Sequence, residues 1–430
     1  MNEIKRDLYL NKLIDRMNNG LIKVITGIRR CGKSYLLFNI FYNYLLQSGV
    51  ENEQIIRISL DGDENATLRD PQKLSDFLHS QIRESTKPYY VLLDEVQFAI
   101  SDEEIRKNEP IRLYGILNGL LRKNNVDIYV TGSNSKFLSS DVMTEFRGRG
   151  DVIQVYPLSF SEFYSAYGGD KYEAFDEYTL YGGLPLVLAQ RNDSDKSKYL
   201  IDNLKLTYIK DIVERNHLHG DVVMANLVEI LASSIGSLTN PKKLSNTFKS
   251  SGTSASDNTI SEYISYLSNA FLISRAERYD VKGKKYISSP YKFYFSDIGI
   301  RNAALNFRQQ ELTHILENII YNELLIRGYN VDVGIVYCSG KTKENKHIIV
   351  PTEIDFICNL GNQKYYIQSA LNMDDEEKQA VELRPLYAVY DSFKKIVVSK
   401  SYGKSWTDEK GVLRINIIDF LLDKNSMNRI

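Results

Sequence analysis

The sequence predicts an α/β protein in which a parallel sheet is followed by a helical and winged-helix segment and then by an α+β domain. Three observations indicate this architecture. A glycine-rich loop joins an apolar strand to a helix, further apolar strands alternate with helix-compatible stretches, and a late strand–turn–strand pattern follows a helix. At 430 residues the chain is also longer than one core supports. We divide it into residues 1–165, 166–224 (a helical lid or linker), 225–300 and 301–430.

Residues 27–34 match the phosphate-binding loop pattern G-x-x-x-x-G-K-[ST]. In such a loop, backbone N–H groups and the helix N-terminus point at the phosphates. Lys33 would reach the β- and γ-phosphate oxygens, and the Ser34 hydroxyl could bind Mg²⁺. The pattern therefore predicts ATP or GTP binding. The predicted binding residues are Gly27, Ile28, Arg29, Arg30, Cys31, Gly32, Lys33, Ser34 and Tyr35.

Three further apolar runs, at residues 54–60, 89–93 and 127–131, predict strands of the same sheet. The second run leads into Asp94 and Glu95, which is the Walker B arrangement. Because it follows a complete phosphate loop, we expect Asp94 to hold Mg²⁺. Glu95 would orient and deprotonate the attacking water.

Polar residues after the third strand are candidates for catalysis beside Lys33 and Glu95. Ser133 or Asn134 could contact the γ-phosphate as a sensor, or could belong to a plain strand-end turn. Arg147 and Arg149 follow on a glycine-rich stretch. Either arginine could stabilise charge on the γ-phosphate, in cis or across a subunit interface, or could lie in solvent.

These motifs together resemble the AAA-type ATPase module of a large prokaryotic family with a C-terminal domain of unknown function. The motifs are residues 27–34, 91–97, 131–139, 147–150, 156–163, 181–185 and 208–215. The resemblance covers essentially the whole chain and implies ATP rather than GTP. No guanine-reading Asn-Lys-x-Asp follows the Walker B strand, which agrees with that implication. AAA-type sites often lie between subunits, so a homo-oligomer is compatible with the resemblance.

Residues 225–300 predict a helix–turn–helix followed by a hairpin with a basic tip, the layout of a winged helix. Helices are expected at 222–234, 240–249 and 257–267, the last capped by Ser256 or Asp257, and strands at 271–279 and 286–295. Residues 237–292 contain nine Lys or Arg against four Asp or Glu, which favours phosphate contacts. The predicted DNA-contacting residues are Asn258, Thr259, Lys282, Lys284 and Lys285. The alternative is a structural lid that does not contact DNA.

Residues 301–430 present the frame of the PD-(D/E)XK nucleases. Glu317 lies on a predicted helix, Asp355 on a strand, and a Gln-Ser-Ala triplet on the next strand at 368–370. In that frame Asp355 and the first triplet residue hold a metal, and a lysine positions the water. Here Gln368 replaces the second carboxylate and Ala370 replaces the lysine. We therefore predict weak metal binding and an inactive nuclease fold, with Lys378 as the one candidate for a relocated lysine.

Bulk properties limit the choice of partners and location. The formal net charge is −1, which by itself indicates neither a nucleic-acid nor a membrane partner. The three cysteines are far apart, no apolar run reaches the length of a membrane span, and the N-terminus lacks a signal-peptide pattern. We therefore expect a cytoplasmic protein that does not contact membranes.

Three functional hypotheses remain. The first is an Mg²⁺-dependent ATPase whose nucleotide state controls engagement of a macromolecule, with DNA as the expected partner. The second is an ATP-gated DNA nuclease of mobile-element or defence type. The third is a nucleotide-switched DNA-binding regulator or scaffold with slow hydrolysis.

Overall fold

The computed structural model describes most of the chain in two compact units, Glu3–Pro157 and Leu158–Ser268 with Leu272–Ile430. The described residues are 4–83, 87–101, 103–104, 110–132, 148–218, 222–250, 252–253, 255–341, 347–373, 375–401 and 403–428. Within these residues, every helix is too short or too polar to cross a membrane.

The first unit contains a five-stranded, fully parallel sheet with the strand order β2-β3-β4-β1-β5. The strands are β1 (Ile22–Thr26), β2 (Ile55–Ser59), β3 (Tyr89–Asp94), β4 (Val126–Thr131) and β5 (Gly150–Gln154). The predicted parallel sheet is thus confirmed. Strand β5 was not predicted, because its residues are mixed polar and apolar and have no strand-like pattern.

Helices flank the strands of this sheet. They are α1 (Asp7–Ile14), the continuous helical run α2 (Lys33–Tyr35, the π-helical Leu36–Phe41 and Tyr42–Gln47), α3 (Pro71–Gln81) and α4 (Arg112–Leu120). Helix α3 begins where Asp70 accepts a hydrogen bond from the Lys73 N–H and Pro71 occupies the first helical position. The central strands β1 and β3 are buried along their whole length, as expected for a parallel sheet.

The second unit begins with helices. They are α5 (Phe160–Tyr167), α6 (Lys171–Tyr181), α7 (Asp193–Asp202, extended by the π-helical Asn203–Ile209 and by Lys210–Arg215), α8 (Val222–Ser233), α9 (Pro241–Ser250) and α10 (Asp257–Asn269). Helix α5 starts with a capping box between Ser159 and Glu162. Ser256 caps α10, since its hydroxyl accepts a hydrogen bond from the Thr259 N–H.

A mixed eight-stranded sheet occupies the rest of this unit, with the order β12-β13-β11-β10-β9-β8-β6-β7. The strands are β6 (Ile273–Asp280), β7 (Lys285–Phe295), β8 (Asn330–Lys341), β9 (His347–Leu360), β10 (Gln363–Ala370), β11 (Lys394–Ser399), β12 (Trp406–Thr407) and β13 (Val412–Asn416). The associated helices are α11 (Ile298–Ala304), α12 (Leu312–Ile326), α13 (Glu376–Tyr387) and α14 (Ile417–Leu422).

The hairpin β6–β7 belongs to this same sheet, because β6 pairs in parallel with β8. Strands from residues 225–300 and from residues 301–430 therefore share one hydrogen-bonded sheet. The division of the chain into four segments stays a prediction.

The motif at residues 181–185, which contains two adjacent glycines, has a structural role in the second unit. Gly182 has a φ of 73°, and a Cβ atom there would lie 2.3 Å from a carboxylate oxygen of Asp297. The buried Asp297 accepts a hydrogen bond of 2.7 Å from the Gly183 N–H and caps α11. Asn302 donates to the carbonyls of Thr179 and Leu180. This motif therefore anchors the end of α6 to α11.

Candidate functional site

The phosphate-binding loop connects β1 to α2 and depends on two glycines. Gly27 has a φ of 142° and Gly32 a φ of 99°, values that L side chains rarely adopt. A Cβ atom at Gly27 would lie 2.0 Å from the carbonyl oxygen of Val155. The backbone can therefore turn tightly here only because Gly27 has no side chain, and such turns expose successive N–H groups to an anion.

Arg6 holds the loop from the N-terminal side. Its buried guanidinium donates to the carbonyl of Cys31 at 3.1 Å and to that of Tyr156 at 2.7 Å. The buried Cys31 thiol lies 3.4 Å from the Val155 carbonyl oxygen. Cys31 is thus a packed residue of the loop, and Arg6 is a supporting residue that no sequence motif marks.

Lys33 extends back across the loop from the first turn of α2. The residue is 4% exposed, and its ammonium donates to the carbonyls of Gly27 at 3.0 Å and Ile28 at 3.1 Å. The positive charge is therefore held against the loop backbone, where phosphate oxygens bind in proteins with this motif.

Ser34 and Asp94 come together at the start of α2 and the end of β3. Asp94 is 3% exposed, and hydroxyls of Thr131 and Ser34 both donate to its carboxylate. Burial raises the pKa of Asp94, and the two hydrogen bonds oppose that rise. A carboxylate beside a hydroxyl offers the hard oxygen ligands that Mg²⁺ prefers.

Glu95 follows immediately and has a left-handed backbone conformation, with φ 53° and ψ 51°. Its N–H donates to the Thr131 hydroxyl oxygen at 3.0 Å, and its carboxylate accepts a hydrogen bond from the Gln97 amide. A residue other than glycine is strained in the left-handed conformation, and such strain concentrates at functional sites. Thr131 therefore contacts both acidic residues of the Walker B motif, a role that sequence reasoning missed.

The other predicted binding residues occupy different surroundings. Ile28 is buried and Arg29 is half-buried, whereas Arg30 and Tyr35 are exposed. Arg30 has a positive φ of 64°. The role of these exposed side chains in nucleotide binding stays a prediction.

The predicted sensor and arginine residues fall mostly in a part of the chain that the structure does not describe. Ser133, Asn134 and Arg147 lie outside the described residues. Arg149 is exposed just before β5, and its carbonyl accepts a hydrogen bond of 2.8 Å from the Ile22 N–H. Which arginine or polar residue acts on the γ-phosphate therefore stays a prediction.

Comparison with known proteins identifies the family. Residues 19–164 match the model of a family described as an AAA domain, and residues 172–311 match a domain of unknown function. An uncharacterized protein of Haemophilus influenzae is 33% identical over 424 residues, which span 97% of this chain and 98% of that protein. The chain belongs to this family of AAA-domain proteins. An uncharacterized protein of Methanocaldococcus jannaschii is 28% identical to the AAA-domain protein over 394 residues, 87% of this chain and 79% of that one.

The AAA-domain protein is also similar to solved structures. The Walker-type ATPase of Pyrococcus abyssi has a TM-score of 0.49 and 14% identity, with 71% of this chain and 96% of that chain covered. The Aeropyrum pernix ORC1 protein, solved in complex with DNA, has a TM-score of 0.30 and 11% identity, with 70% and 92% covered. The family match itself confirms the resemblance stated from the motifs, and the chain carries an AAA-type P-loop ATPase domain.

The three residues predicted for a degenerate nuclease site do lie near one another in the AAA-domain protein. Asp355 on β9 accepts a hydrogen bond of 2.9 Å from the Ser369 N–H, and its own N–H donates to the Gln368 amide oxygen at 3.3 Å. The Gln368 amide nitrogen donates to Glu382 at 2.9 Å. Glu317 on α12 joins them through a buried lysine, Lys292, which forms ion pairs with Glu317 and Asp355. Lys292 is one of the nine basic residues counted in residues 237–292.

Lys292 is 3% exposed and cannot contribute to a DNA-binding surface, so the basic excess of residues 237–292 is smaller at the surface than the count indicated. Burial acts to lower the pKa of Lys292, but the neighbouring carboxylates raise it well above its usual range. Within the parts of the chain that the structure describes, no group of three His, Cys, Asp or Glu side chains is arranged to hold a metal ion.

The residues predicted to contact DNA lie on α10 and the hairpin. Lys282, Lys284 and Lys285 are exposed at the tip between β6 and β7. Asn258 is exposed in the first turn of α10. Thr259 is half-buried and is engaged with the capping Ser256, since their hydroxyl oxygens are 2.8 Å apart. The lysines are thus better placed to reach a phosphate backbone than Thr259 is.

Proposed function

We propose that the protein hydrolyses ATP with Mg²⁺ and that its nucleotide state controls engagement of a macromolecule, with DNA as the partner. One observation carries the hydrolytic part. The Thr131 hydroxyl donates to Asp94 and accepts from the Glu95 N–H, while Ser34 donates to the same Asp94 carboxylate. A pair of oxygen ligands for a metal and a candidate general base therefore stand side by side.

The residues of the site fit the cofactors that an AAA domain implies. Loop N–H groups and Lys33 suit phosphate oxygens, and the close approach at Gly27 leaves no room for a side chain there. Ser34 and Asp94 suit Mg²⁺, which when bound would neutralise charge on the phosphates. Glu95 would then accept the proton of the attacking water.

The test separates binding from turnover. Lys33→Ala should lose ATP binding, because the ammonium that faces the phosphates is gone. Glu95→Gln should bind ATP yet release phosphate at a rate lower by about two orders of magnitude or more, as expected for loss of a general base. Glu53→Gln removes an exposed glutamate of the same unit and serves as the control. Normal phosphate release by the Glu95→Gln protein would contradict the assignment.

The DNA-binding part is supported by the arrangement of α8, α9, α10 and the β6–β7 hairpin. Between α8 and α9, Thr239 forms an isolated antiparallel bridge with Tyr291 of β7. We infer a winged helix from these three helices, the bridging residue and the basic hairpin, and the exposed hairpin lysines support phosphate contacts.

The matched experiment measures DNA affinity as a function of salt, with ATP and with ADP. Replacing Lys282, Lys284 and Lys285 by alanine should weaken binding and reduce the slope of log K against log salt by about 0.9 for each DNA phosphate that a lysine no longer neutralises. The control protein carries alanine at three exposed lysines elsewhere, Lys73, Lys198 and Lys404. Equal effects of both triple substitutions would argue against the hairpin, and equal affinities with ATP and ADP would argue against nucleotide control.

A further inference from the structure

Three carboxylates from two elements of the second unit surround one buried lysine. Glu317 comes from α12, and Glu353 and Asp355 come from β9. We call these three residues the carboxylate centre. The Lys292 ammonium on β7 is 2.8 Å from Glu317 Oε1, 2.5 Å from Glu353 Oε1 and 3.7 Å from Asp355 Oδ1. The Lys292 side chain is only 4% exposed.

The position of the Lys292 ammonium among these three carboxylates stabilises their negative charge. Buried carboxylates close to one another repel, and each is costly to ionise away from water. Burial and the charge of Glu317 raise the pKa of Asp355 well above its usual range. For Glu317, burial acts to raise the pKa, but the Lys292 ammonium and hydrogen bonds from His314, Lys292 and Tyr294 lower it. The negative charge on Glu317 thus depends on Lys292.

The space between these carboxylates is filled by an ammonium group. Its two short contacts lie near ordinary charge-assisted N–H···O distances. Among the described residues, no group of three His, Cys, Asp or Glu side chains is arranged to hold a metal ion. An ammonium has three N–H donors, and here Glu317 and Glu353 lie within hydrogen-bond distance while Asp355 is close enough for an ion pair. The neighbouring residues agree with this interpretation, because Gln368 turns its amide towards Glu382 instead of adding a fourth carboxylate.

We propose that the Lys292 ammonium is the resident cation of the carboxylate centre, in the place that a divalent metal would otherwise occupy, and that removing it creates a divalent-metal site. The wild-type centre then holds no metal and does not support metal-dependent cleavage of a phosphodiester. Its role is to join β7 to α12 and β9 through ion pairs. Glu353, the most exposed of the three carboxylates, is the one free to move inward towards a smaller cation.

The experiment measures Mn²⁺ binding by the full chain without nucleotide, from the electron paramagnetic resonance signal of free Mn²⁺. Lys292→Met keeps the unbranched chain as far as Cε and removes the ammonium, so the position between the carboxylates is vacated. We expect this protein to bind one more Mn²⁺ per chain than wild type, and we expect the added site to disappear in Lys292→Met/Asp355→Asn. The double variant separates the carboxylate centre from any Mn²⁺ held at Ser34 and Asp94.

Thermal unfolding provides a second measurement. In EDTA, Lys292→Met should unfold on the order of 10 °C below wild type, because it buries uncompensated carboxylates, and Mn²⁺ should restore much of the loss. Lys292→Arg retains the cation and should gain neither a metal site nor a response to Mn²⁺.

Several results would overturn the proposal. One is a wild-type protein that loses a bound Mn²⁺ on Asp355→Asn, because the centre would then already hold metal. Another is a Lys292→Met protein that gains no Mn²⁺ or that stays unfolded at saturating Mn²⁺. Plasmid DNA should remain intact with wild-type protein and Mn²⁺, and cleavage that is lost in Asp355→Asn would likewise refute the proposal.

Discussion

Replacing Thr131 by valine tests the most connected residue of the nucleotide site. Thr131 is fully buried at the end of β4, its hydroxyl donates to the Asp94 carboxylate, and its oxygen accepts a hydrogen bond from the Glu95 N–H at 3.0 Å. Valine has nearly the same shape, so the substitution removes two hydrogen bonds without opening a cavity. Thr131→Ser keeps the hydroxyl and loses only a methyl group.

The magnitude follows from these two bonds. A hydrogen bond to a charged group contributes about 1.5–3 kcal/mol, and leaving a buried N–H unpaired costs about 1 kcal/mol or more. Losing both hydrogen bonds should lower the free energy of unfolding by roughly 3 kcal/mol. For a unit of this size, each kcal/mol corresponds to about 2–4 °C, so the Tm of the first unit should fall by roughly 6–12 °C.

Calorimetry and steady-state ATP turnover measure the two consequences. Because the Thr131 hydroxyl is hydrogen-bonded to both Walker B acids, kcat should fall by about tenfold or more while the KM for ATP changes little. Thr131→Ser should retain most of both stability and kcat. A Thr131→Val protein whose Tm lies within about 2 °C of wild type, with unchanged kcat, would refute this reasoning.

Three further predictions concern the same unit. Gly27→Ala should abolish ATP binding, because its Cβ would lie 2.0 Å from a backbone carbonyl oxygen. The control Gly49→Ala has open space around its Cβ and should bind ATP normally in the same titration. Lys23→Met should lower the free energy of unfolding of the unit by about 3–5 kcal/mol in urea, because it leaves the buried Asp127 without its ion partner. The double variant Lys23→Met/Asp127→Leu should recover part of that loss. Burial acts to raise the pKa of Glu104, but hydrogen bonds from backbone and side-chain donors lower it to about 2. The ionised Glu104 therefore stabilises the fold above the unfolded-state pKa of about 4.3, and this stabilisation is lost as pH falls towards 2. Unfolding measured as a function of pH should show a smaller acid-induced decrease in the free energy of unfolding for Glu104→Gln than for wild type.

The first unit was largely predictable because its signals are local. The phosphate loop, Asp94 and Glu95 are contiguous in sequence with the strands and helix that position them, and apolar runs identified β1 to β4. Thr131 and Arg6 were missed for a different reason. Their roles arise from hydrogen bonds to residues far along the chain, and a threonine at a strand end or an arginine near the N-terminus has no distinguishing pattern.

In the second unit the elements were predictable, but the residue at the centre of the carboxylate cluster was not. The helix of Glu317 and the strands of Asp355 and Gln368 were predicted from the order of elements in the sequence, and the substitutions at residues 368 and 370 directed attention to this cluster of side chains. Whether the cluster is an altered nuclease site stays a prediction. The residue that dominates that site, Lys292, comes from a different strand. The charge count of residues 237–292 included Lys292 among the basic residues that favour phosphate contacts, because such a count carries no information on which lysines face inward.

The pairing of β6 with β8 affects how this protein can be divided for experiments. A chain shortened to end near residue 300 would contain the basic hairpin but would lose β8, which pairs with β6 at residues 278–280. The unpaired N–H and C=O groups on that side of β6 would be available to edges of other molecules, and Lys292 would lose all three acidic neighbours. Poor solubility of such a fragment, and loss of DNA binding with it, would then reflect the exposed strand edge rather than the chemistry of the hairpin lysines.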